Sequence, residues 1–351
     1  MGYWGYIARR VVLAFFVVLG TLILTFYLSH VLPANPAILF AGQNPSPQEI
    51  AMIEQEYGFN KPLYVQFLLY ISNFFRGNLG LSISTQQPVS ELIAESLPNS
   101  LTLAALSTLF SAILGIPLGV VAARSRNAFL DHFLRIFSLS GVALPQFWLG
   151  LVFQLVFSVK LHIFPIASYG GSLFFLTNHP IPHITGSYLI DALLSGHFGD
   201  AAKIAWSLVL PTVTLSLYPL GVVIRQTRGA MISALSSEYI RTAKAYGLPE
   251  REIHFKLALK NALTPVIVSL GLVFAGSLIG VVYVEQIFFL EPGLGFLIVQ
   301  GLGVGQTSTS LALSPDYPLI LGITIVVVLV YVASNLVVDI AQAVLDRRIA
   351  L

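Results

Sequence analysis

The chain has 351 residues, of which 56% are hydrophobic and only 10% are charged, and its mean hydropathy is +0.83. Soluble domains average about 25% charged residues, so these values exclude an ordinary water-soluble enzyme, and they exclude a disordered chain, which needs low hydrophobicity and high charge. The net charge of +2 is too small to indicate nucleic-acid binding, and the absence of cysteine excludes disulfides and zinc–thiolate sites.

Six segments are apolar and long enough to cross a bilayer, which takes about 20 residues. In chain order they are 11–32, 100–123, 136–159, 206–224, 264–286 and 317–340. The first is longer than the apolar region of a signal peptide and no small-residue cleavage site follows it, so we expect it to be retained. Proline and glycine inside the spans predict kinks or packing sites, at Gly115, Pro117, Pro145, Pro211 and Pro219.

The segment 62–75 is also nearly uncharged, but it has only 14 residues between Lys61 and Arg76. That length is typical of an interfacial or docked helix rather than a span. If it crossed the membrane, every later loop would change sides, and the distribution of basic residues speaks against that change.

The basic residues predict the orientation, because cytoplasmic segments carry an excess of Lys and Arg. With the N-terminus inside and six spans, 14 of the 18 Lys and Arg residues lie on the cytoplasmic side. Those 14 are Arg9, Arg10, Arg124, Arg126, Arg135, Arg225, Arg228, Arg241, Lys244, Arg251, Lys256, Lys260, Arg347 and Arg348. We therefore expect both termini to be cytoplasmic.

Three external segments follow from this topology, at roughly 33–99, 160–205 and 287–316. The second contains His179, His183 and His197. Their spacing fits no compact ligand motif, and histidine ligation normally needs supporting hydrogen bonds. We therefore predict an ordinary exposed loop and no metal site.

The internal segment 225–263 is long and has the pattern of an ordered helix–turn–helix. Residues 238–246 predict a short helix, and Gly247 is a natural stop after it. Pro249 suits the first turn of a second helix, and Pro265 predicts where the chain bends or re-enters the membrane. Charge alone would serve to anchor this segment on anionic lipid. The turn between two capped helices instead favours docking of a protein partner, although the residues leave both interpretations open.

The segment 241–248, Arg-Thr-Ala-Lys-Ala-Tyr-Gly-Leu, resembles the coupling loop of ABC importer permeases and is closest to the dipeptide/oligopeptide branch. The general motif of that superfamily, Glu-Ala-Ala-x-x-x-Gly, is kept at Ala243 and Gly247, while Arg241 and Thr242 replace its first two positions. Further segments that resemble this branch follow in order along the chain, at 57–67, 77–82, 144–150, 284–288, 292–295, 316–319 and 335–339.

The resemblance implies an all-α integral membrane protein with six transmembrane helices, both termini cytoplasmic. It implies an external segment after the first helix and a cytoplasmic coupling helix between the fourth and fifth. On this basis we divide the chain into 1–98, the first helix with its external segment, and 99–340, the permease core with a coupling loop at 229–263. Residues 341–351 form a cytoplasmic tail.

The implied function is that of a permease subunit forming half of the translocation pathway of an ATP-driven importer for peptides or a related solute (an oligosaccharide, nickel or glutathione). The implied partners are a second, homologous permease in a heterodimer, two ABC ATPase subunits that bind ATP and magnesium, an extracytoplasmic substrate-binding protein and the lipid bilayer of a prokaryotic plasma membrane. No nucleic acid and no cofactor bound to this chain are expected.

The resemblance also implies which residues contact the ATPase: Glu238, Arg241, Thr242, Ala243, Lys244, Ala245, Gly247 and Leu248. Polar groups inside spans are costly and often functional, which makes Gln146, Gln154, Thr214 and Glu285 candidates for the translocation path, although such residues also serve as helix–helix hydrogen bonds. We expect no catalytic residue, because no phosphate-binding loop of the form G-x-x-x-x-G-K-[ST] occurs. A stand-alone secondary transporter or channel is the alternative, and it would require repeats and broken half-helices.

Overall fold

The computed structural model describes residues 3–31, 37–38, 45–125, 128–166, 168–169, 181–303 and 315–345. The described chain is almost entirely helical. Its helices are α1 (Tyr3–Phe26), α2 (Pro47–Tyr57), α3 (Leu63–Phe75), α4 (Val89–Arg124), α5 (Phe129–Ala143), α6 (Gln146–Phe153), α7 (Tyr188–Leu194), α8 (Phe198–Leu235), α9 (Glu238–Ala245), α10 (Glu250–Ile287), α11 (Leu294–Gly301) and α12 (Tyr317–Leu345). Two short strands, β1 (Ser168–Tyr169) and β2 (Leu290–Glu291), pair in parallel with Ser168 opposite Leu290.

Five of these helices, α1, α4, α8, α10 and α12, are each long and apolar enough to cross a membrane. The segment predicted as the third span is instead divided into α5 and α6, which continues as a π-helical turn, Gln154–Lys160, and the two parts meet at an angle of 101°. The break falls at Leu144, which has extended backbone (φ −80°, ψ 136°) because a residue that precedes proline is driven out of the helical region. The kink predicted at Pro145 is therefore confirmed, and it divides the predicted third span into two helices.

The central helix of the bundle is α8, with 72% of its apolar window buried, against 17% in both α1 and α12. Its close contact with α4 depends on glycine: a Cβ on Gly115 would lie 2.8 Å from Cγ1 of Val223, and a Cβ on Gly119 would lie 2.5 Å from Cβ of Thr227. Small residues four positions apart let two membrane helices approach closely. The packing site predicted at Gly115 is confirmed.

Packing contacts between the helices define the two ends of the bundle. One end, which we call the α9 end, holds Val120 of α4, Met231 of α8 and Ala258 of α10 in one apolar cluster with α9. The N-terminal part of α1 lies near the late part of α12, where Arg10 forms an ion pair of 3.2 Å with Asp339. The opposite end, which we call the far end, contains the start of α4, where Val89 packs with Leu319 at the start of α12.

The bent pair α5–α6 follows α8 from the α9 end to the far end. Asp131 of α5 contacts Arg228, and Gln146 donates a hydrogen bond to the carbonyl of Leu215 at 3.2 Å. Phe164, beyond α6, packs against Trp206 with the two rings tilted and their centroids 4.7 Å apart. Successive residues of the pair therefore meet successive turns of α8 in reverse order.

Several predicted loops contain helix. α4 has 36 residues and α8 has 38, so at 1.5 Å per residue they are ~54 and ~57 Å long, well beyond a hydrocarbon core of about 30 Å. The predicted external segments 33–99 and 160–205 thus include the starts of α4 and α8, together with α2, α3 and α7.

The second helix of the predicted helix–turn–helix does not end before the membrane. It is the beginning of α10, which continues through Pro265, and a π-helical stretch, Ile253–Ala258, lies within it. We predicted that the chain bends or re-enters the membrane at Pro265, and the helix continues through that residue without a break. The first predicted helix and its stop at Gly247 are confirmed.

Candidate functional site

The short helix α9 is held at one end of the bundle by a small apolar face. Ile240 is fully buried and Ala243 is 8% exposed, three residues apart and so on one side of the helix. They pack against Val120, Ala123, Met231, Ile253, Ala258 and Ala262. These contacts fix α9 simultaneously to α4, α8 and α10.

The end of α9 is a complete Schellman motif. Gly247 has φ +73°, its N–H donates to the Lys244 carbonyl at 2.9 Å, and the Leu248 N–H donates to the Ala243 carbonyl at 3.2 Å. A side chain at this φ is strained, which explains the glycine. The motif ends α9 and reverses the chain, so that α9 forms the link between α8 and α10.

The outward side of α9 is polar and carries an aromatic residue at its tip. Glu238 and Arg241 are exposed and form an ion pair at 2.8 Å across one helical turn, and Lys244 is exposed beside them. Tyr246 is 81% exposed. Exposed tyrosine and arginine are the residue types that anchor protein interfaces, and Tyr246, absent from our predicted site residues, joins that surface.

The other predicted coupling residues divide between the two faces. Thr242, Ala245 and Gly247 are exposed, Leu248 is partly buried, and Ala243 faces the bundle. Ala243 therefore anchors α9 to its own chain in this structure, and a partner protein would contact the exposed residues on either side of it.

A groove of about 910 Å³ opens beside α9. Its wall is formed by α8, α9 and α10, and its polar side chains are Gln226, Ser233, Tyr239, Asn261 and Thr264. Asn261 Nδ2 donates a hydrogen bond of 2.9 Å to the Tyr239 hydroxyl across this wall. The side of α9 that carries Tyr239 thus borders the groove, while its outward side is exposed to solvent.

A buried ion pair secures the same end of the bundle. Asp131 is fully buried, and Arg228 donates to its two oxygens from Nε at 2.6 Å and Nη2 at 2.9 Å. Arg135 Nε lies 3.8 Å from the same carboxylate. Bidentate arginine–carboxylate contacts are strong and directional, so this pair fixes α5 on α8. The sequence signalled it only as an acidic residue near a basic connector.

The predicted pathway residue Glu285 is fully buried near the far end of α10. Ser100 Oγ donates to its Oε1 at 2.6 Å, and the Gly295 N–H donates to its Oε2 at 2.7 Å. Ser100 in turn accepts the Leu294 N–H at 2.9 Å. Glu285 therefore joins α4, α10 and the start of α11.

Gln146, Gln154 and Thr214 also bond to protein backbone. The side-chain amide of Gln154 donates to the Ile287 carbonyl at 2.7 Å, Gln146 bonds to Leu215 as described above, and the Thr214 hydroxyl donates to the Leu210 carbonyl at 2.8 Å. The two glutamines are partly buried and Thr214 is fully buried. The structure brings both glutamines of the bent pair onto neighbouring helices, away from α9.

No group of three His, Asp or Glu side chains arranged to hold a metal ion occurs among the described residues. Of the three histidines in the second predicted external segment, His183 and His197 are described, and His179 lies outside the described residues.

Long apolar helices gathered around α8, with a short helix of polar outward side at one end, define a multi-pass integral membrane protein. The chain belongs to the family described as "Binding-protein-dependent transport system inner membrane component", which matches residues 115–351. Residues 4–104 match the corresponding N-terminal family, "Binding-prot-dependent transport system membrane comp, N-term".

Alignments with curated relatives extend along almost the whole chain. The chain is 40% identical over 349 residues, 99% of this chain and 98% of the relative, to the "Probable D,D-dipeptide transport system permease protein DdpB" of Escherichia coli K12. It is 34% identical over 345 residues to the "Dipeptide transport system permease protein DppB" of Alkalihalophilus pseudofirmus, covering 98% of this chain and 99% of the relative. It is 35% identical over 346 residues to the "Di/tripeptide transport system permease protein DppB" of Pseudomonas aeruginosa, covering 98% of each. The chain is thus a permease subunit of an ABC importer, and it is a transport subunit rather than an enzyme.

Proposed function

We propose that this permease carries dipeptides or other short peptides into the cell. The support comes from relatives whose names specify dipeptides, D,D-dipeptides or di- and tripeptides and which align along almost the entire chain. The oligosaccharide, nickel and glutathione alternatives have no counterpart in those names.

Within this function, α9 is the coupling helix that docks on an ATPase subunit. The observation that carries this proposal is its geometry: buried Ile240 and Ala243 join three long helices, while Glu238, Arg241 and Tyr246 face outward. A helix held on one side and exposed on the other can transmit movement of a partner into the bundle. Because Tyr239 lines the neighbouring groove, such movement would also reshape the groove.

The α9 end is cytoplasmic in this proposal. Arg225, Arg241, Lys244, Arg251 and Lys256 lie in or beside α9 and the adjoining ends of α8 and α10, as the excess of basic residues in cytoplasmic segments requires. The bent pair counts as the sixth crossing, since its contacts run along α8 from one end to the other. Both termini then lie in the cytoplasm.

The complete transporter would contain a second, homologous permease, two ATPase subunits that bind ATP and magnesium, and an external binding protein that delivers the peptide, in a prokaryotic plasma membrane. The boundary that we predicted at residue 98, between the N-terminal part and the permease core, is also part of the proposal, and α4 runs across it without a break. Gln146 and Gln154, which are partly buried, stay candidates for the path, whereas Thr214 and Glu285 would reach it only after the helices rearrange.

The test uses the complete transporter reconstituted in lipid, with ATP hydrolysis measured with and without the binding protein. Tyr246→Ala removes an exposed aromatic anchor, which typically costs an interface about 2 kcal/mol or roughly thirtyfold in affinity. We expect stimulated hydrolysis to fall and ATPase subunits to dissociate during purification. Phe129→Ala is the matched control, because Phe129 is an exposed aromatic residue (86%) on α5 at the same end of the bundle.

Gly247→Val tests the turn itself. Valine is strained at φ +73°, so we expect the orientation of α9, and with it the stimulation, to be lost while the spans stay folded. Unchanged stimulation in both Tyr246→Ala and Gly247→Val would show that α9 is only a membrane anchor.

A further inference from the structure

The groove beside α9 begins where the bent pair leaves the contact line between α8 and α10. α6 packs on both of these helices: a Cβ on Gly150 would lie 3.2 Å from Cγ2 of Thr214 on α8 and 3.2 Å from Cδ1 of Ile287 on α10. On the other side of the bend at Pro145, α5 packs on α8 and α4 instead. The line between α8 and α10 is therefore covered by α6 toward the far end and is open toward the α9 end.

The groove presents hydrogen-bonding groups that a dissolved ligand can reach. Ser233, Tyr239 and Asn261 are exposed, and Gln226 and Thr264 are partly buried. Among the described residues that line the groove, none is Asp, Glu, Lys or Arg. Its volume of about 910 Å³ is within the range of small-molecule sites, about 300–1,000 Å³. Such a site binds a neutral polar group through hydrogen bonds, while the charged ends of the ligand stay in water.

Asn261 and Tyr239 offer one acceptor and one donor that the bond between them does not use. Asn261 Nδ2 donates to the Tyr239 hydroxyl at 2.9 Å, which fixes the orientation of the amide. Among the described residues, Asn261 Oδ1 then has no donor, and the hydroxyl keeps its own hydrogen to donate. The amide N–H of a peptide can donate to Asn261 Oδ1, and a carbonyl or carboxylate oxygen can accept from Tyr239.

An apolar helix of a second permease would fit this groove poorly. It would cover the five polar side chains of the wall without supplying hydrogen-bond partners, and polar groups that are buried without partners oppose association. A short peptide supplies donors and acceptors of its own. The lining therefore favours a small polar solute over a membrane helix.

We propose that the groove is a low-affinity site for the transported peptide on the cytoplasmic side, where side chains recognise the peptide amide. The proposal rests on the proposed function, because that function supplies both the peptide and the side of the membrane. Since Tyr239 belongs to α9, peptide that accumulates inside the cell and refills the groove binds against the coupling helix itself. Binding in the groove and movement of α9 then influence each other reciprocally.

The test uses cysteine accessibility, because the chain contains no cysteine. Ser233→Cys places a thiol in the groove. Ser236→Cys is the matched control, because Ser236 is also exposed, lies three residues further along and does not line the groove. The complete transporter in lipid nanodiscs is labelled with a charged maleimide, with and without alanyl-alanine, and the label on this chain is measured. At a peptide concentration of about ten times the dissociation constant, labelling of Ser233→Cys should slow roughly tenfold, whereas Ser236→Cys should label at an unchanged rate.

A second ligand tests recognition of the amide. Alanyl-lactate has the same charged ends and nearly the same size as alanyl-alanine, but an ester oxygen replaces the amide N–H. It should need about fivefold more ligand for the same protection of Ser233→Cys, as the loss of one hydrogen bond predicts. Equal protection by the two ligands would show that the groove does not recognise the amide, and it would overturn the proposal.

The control position and the ATPase activity separate the remaining outcomes. Equal slowing at both positions, or no slowing at either, would show that the peptide does not bind in the groove. Stimulation of ATP hydrolysis by the peptide-loaded binding protein is measured on the wild-type transporter in the same nanodiscs. Normal stimulation without protection of Ser233→Cys would refute this site and leave the proposed function standing, whereas absent stimulation would count against the proposed function itself.

Discussion

The ion pair between Asp131 and Arg228 gives the sharpest prediction for stability. Asp131→Asn keeps the shape of the side chain but removes the charge from a fully buried position, and the Arg228 side chain, 20% exposed, then loses its anion. Breaking a fully buried pair costs about 3–5 kcal/mol, and the partial exposure of Arg228 lets water recover a share. We expect a loss of roughly 2–3 kcal/mol in the free energy of unfolding. Few other contacts would compensate, because α5 buries only Leu134 and Ser138 besides Asp131.

The assay is unfolding of the purified chain in mixed micelles by increasing detergent denaturant, for Asp131→Asn, Arg228→Gln and the double variant. If the pair acts as a unit, the double variant should be less destabilised than the sum of the single variants. Lys203 serves as the control, because its contact with Asp200 is long, 3.6 Å, and the Lys203 side chain is 49% exposed, so Lys203→Gln should cost at most about 1 kcal/mol. Additive losses for Asp131 and Arg228, or a loss in Asp131→Asn no larger than in the control, would refute the reasoning.

Three further predictions concern packing and pH. Gly293→Ala should destabilise the far end by about 1–3 kcal/mol in the same unfolding assay, since its Cβ would lie 2.5 Å from the carboxyl carbon of Glu285; an unaffected midpoint would show that this corner is loosely packed. Gly271→Ala should separate α10 from α12 and reduce cross-linking between cysteines introduced on the two helices, because its Cβ would overlap a valine side chain; unchanged cross-linking would contradict that contact. For Asp191, burial raises the pKa, but hydrogen bonds from the threonine side chain and from the backbone of residues 184–186 outweigh burial and hold the pKa below its ordinary value. The contribution of Asp191 to the free energy of unfolding is therefore complete above the unfolded-state pKa of about 3.9 and is lost as the pH falls through the lower folded-state pKa. The stability difference between wild type and Asp191→Asn should be constant from about pH 6 to 8 and should shrink in strong acid. A difference that grew in acid would refute this prediction.

Hydropathy and local signals predicted the parts of the structure that depend on nearby residues. α9 ends at Gly247 because a left-handed residue is needed there, and that requirement is visible in the sequence. The docked helix α3 was predicted from its length, and it packs on α1 through a hydrogen bond of 2.8 Å between Thr25 and Tyr70. These features require no knowledge of distant contacts.

How far each proline disturbs its helix depends on contacts between distant residues. Pro145 breaks its helix by 101°, whereas Pro117, Pro211 and Pro265 continue inside helices, although each is a proline in an apolar segment. The residue type does not determine the outcome, because neighbouring helices supply or withhold the packing that compensates for a lost hydrogen bond.

The polar residues inside the spans illustrate the same limit. The sequence identified Glu285 as a carboxylate that needs a partner, but its partners, Ser100 and the Gly295 amide, lie on other elements. Tyr246 belongs to the segment 241–248 that carries the family resemblance, but its 81% exposure at the end of α9 follows from the turn that comes after it.

The length of α8 has a mechanical consequence. One helix of 38 residues reaches from the α9 cluster, at Met231, to the far end, where Ile204 packs in the cluster that contains Phe288. Because α8 is packed against other helices at both ends, a tilt of one end also displaces the other end. Under the proposed function, we expect a tilt of α8 to couple opening on one side of the membrane to closing on the other, without a separate signal for each side.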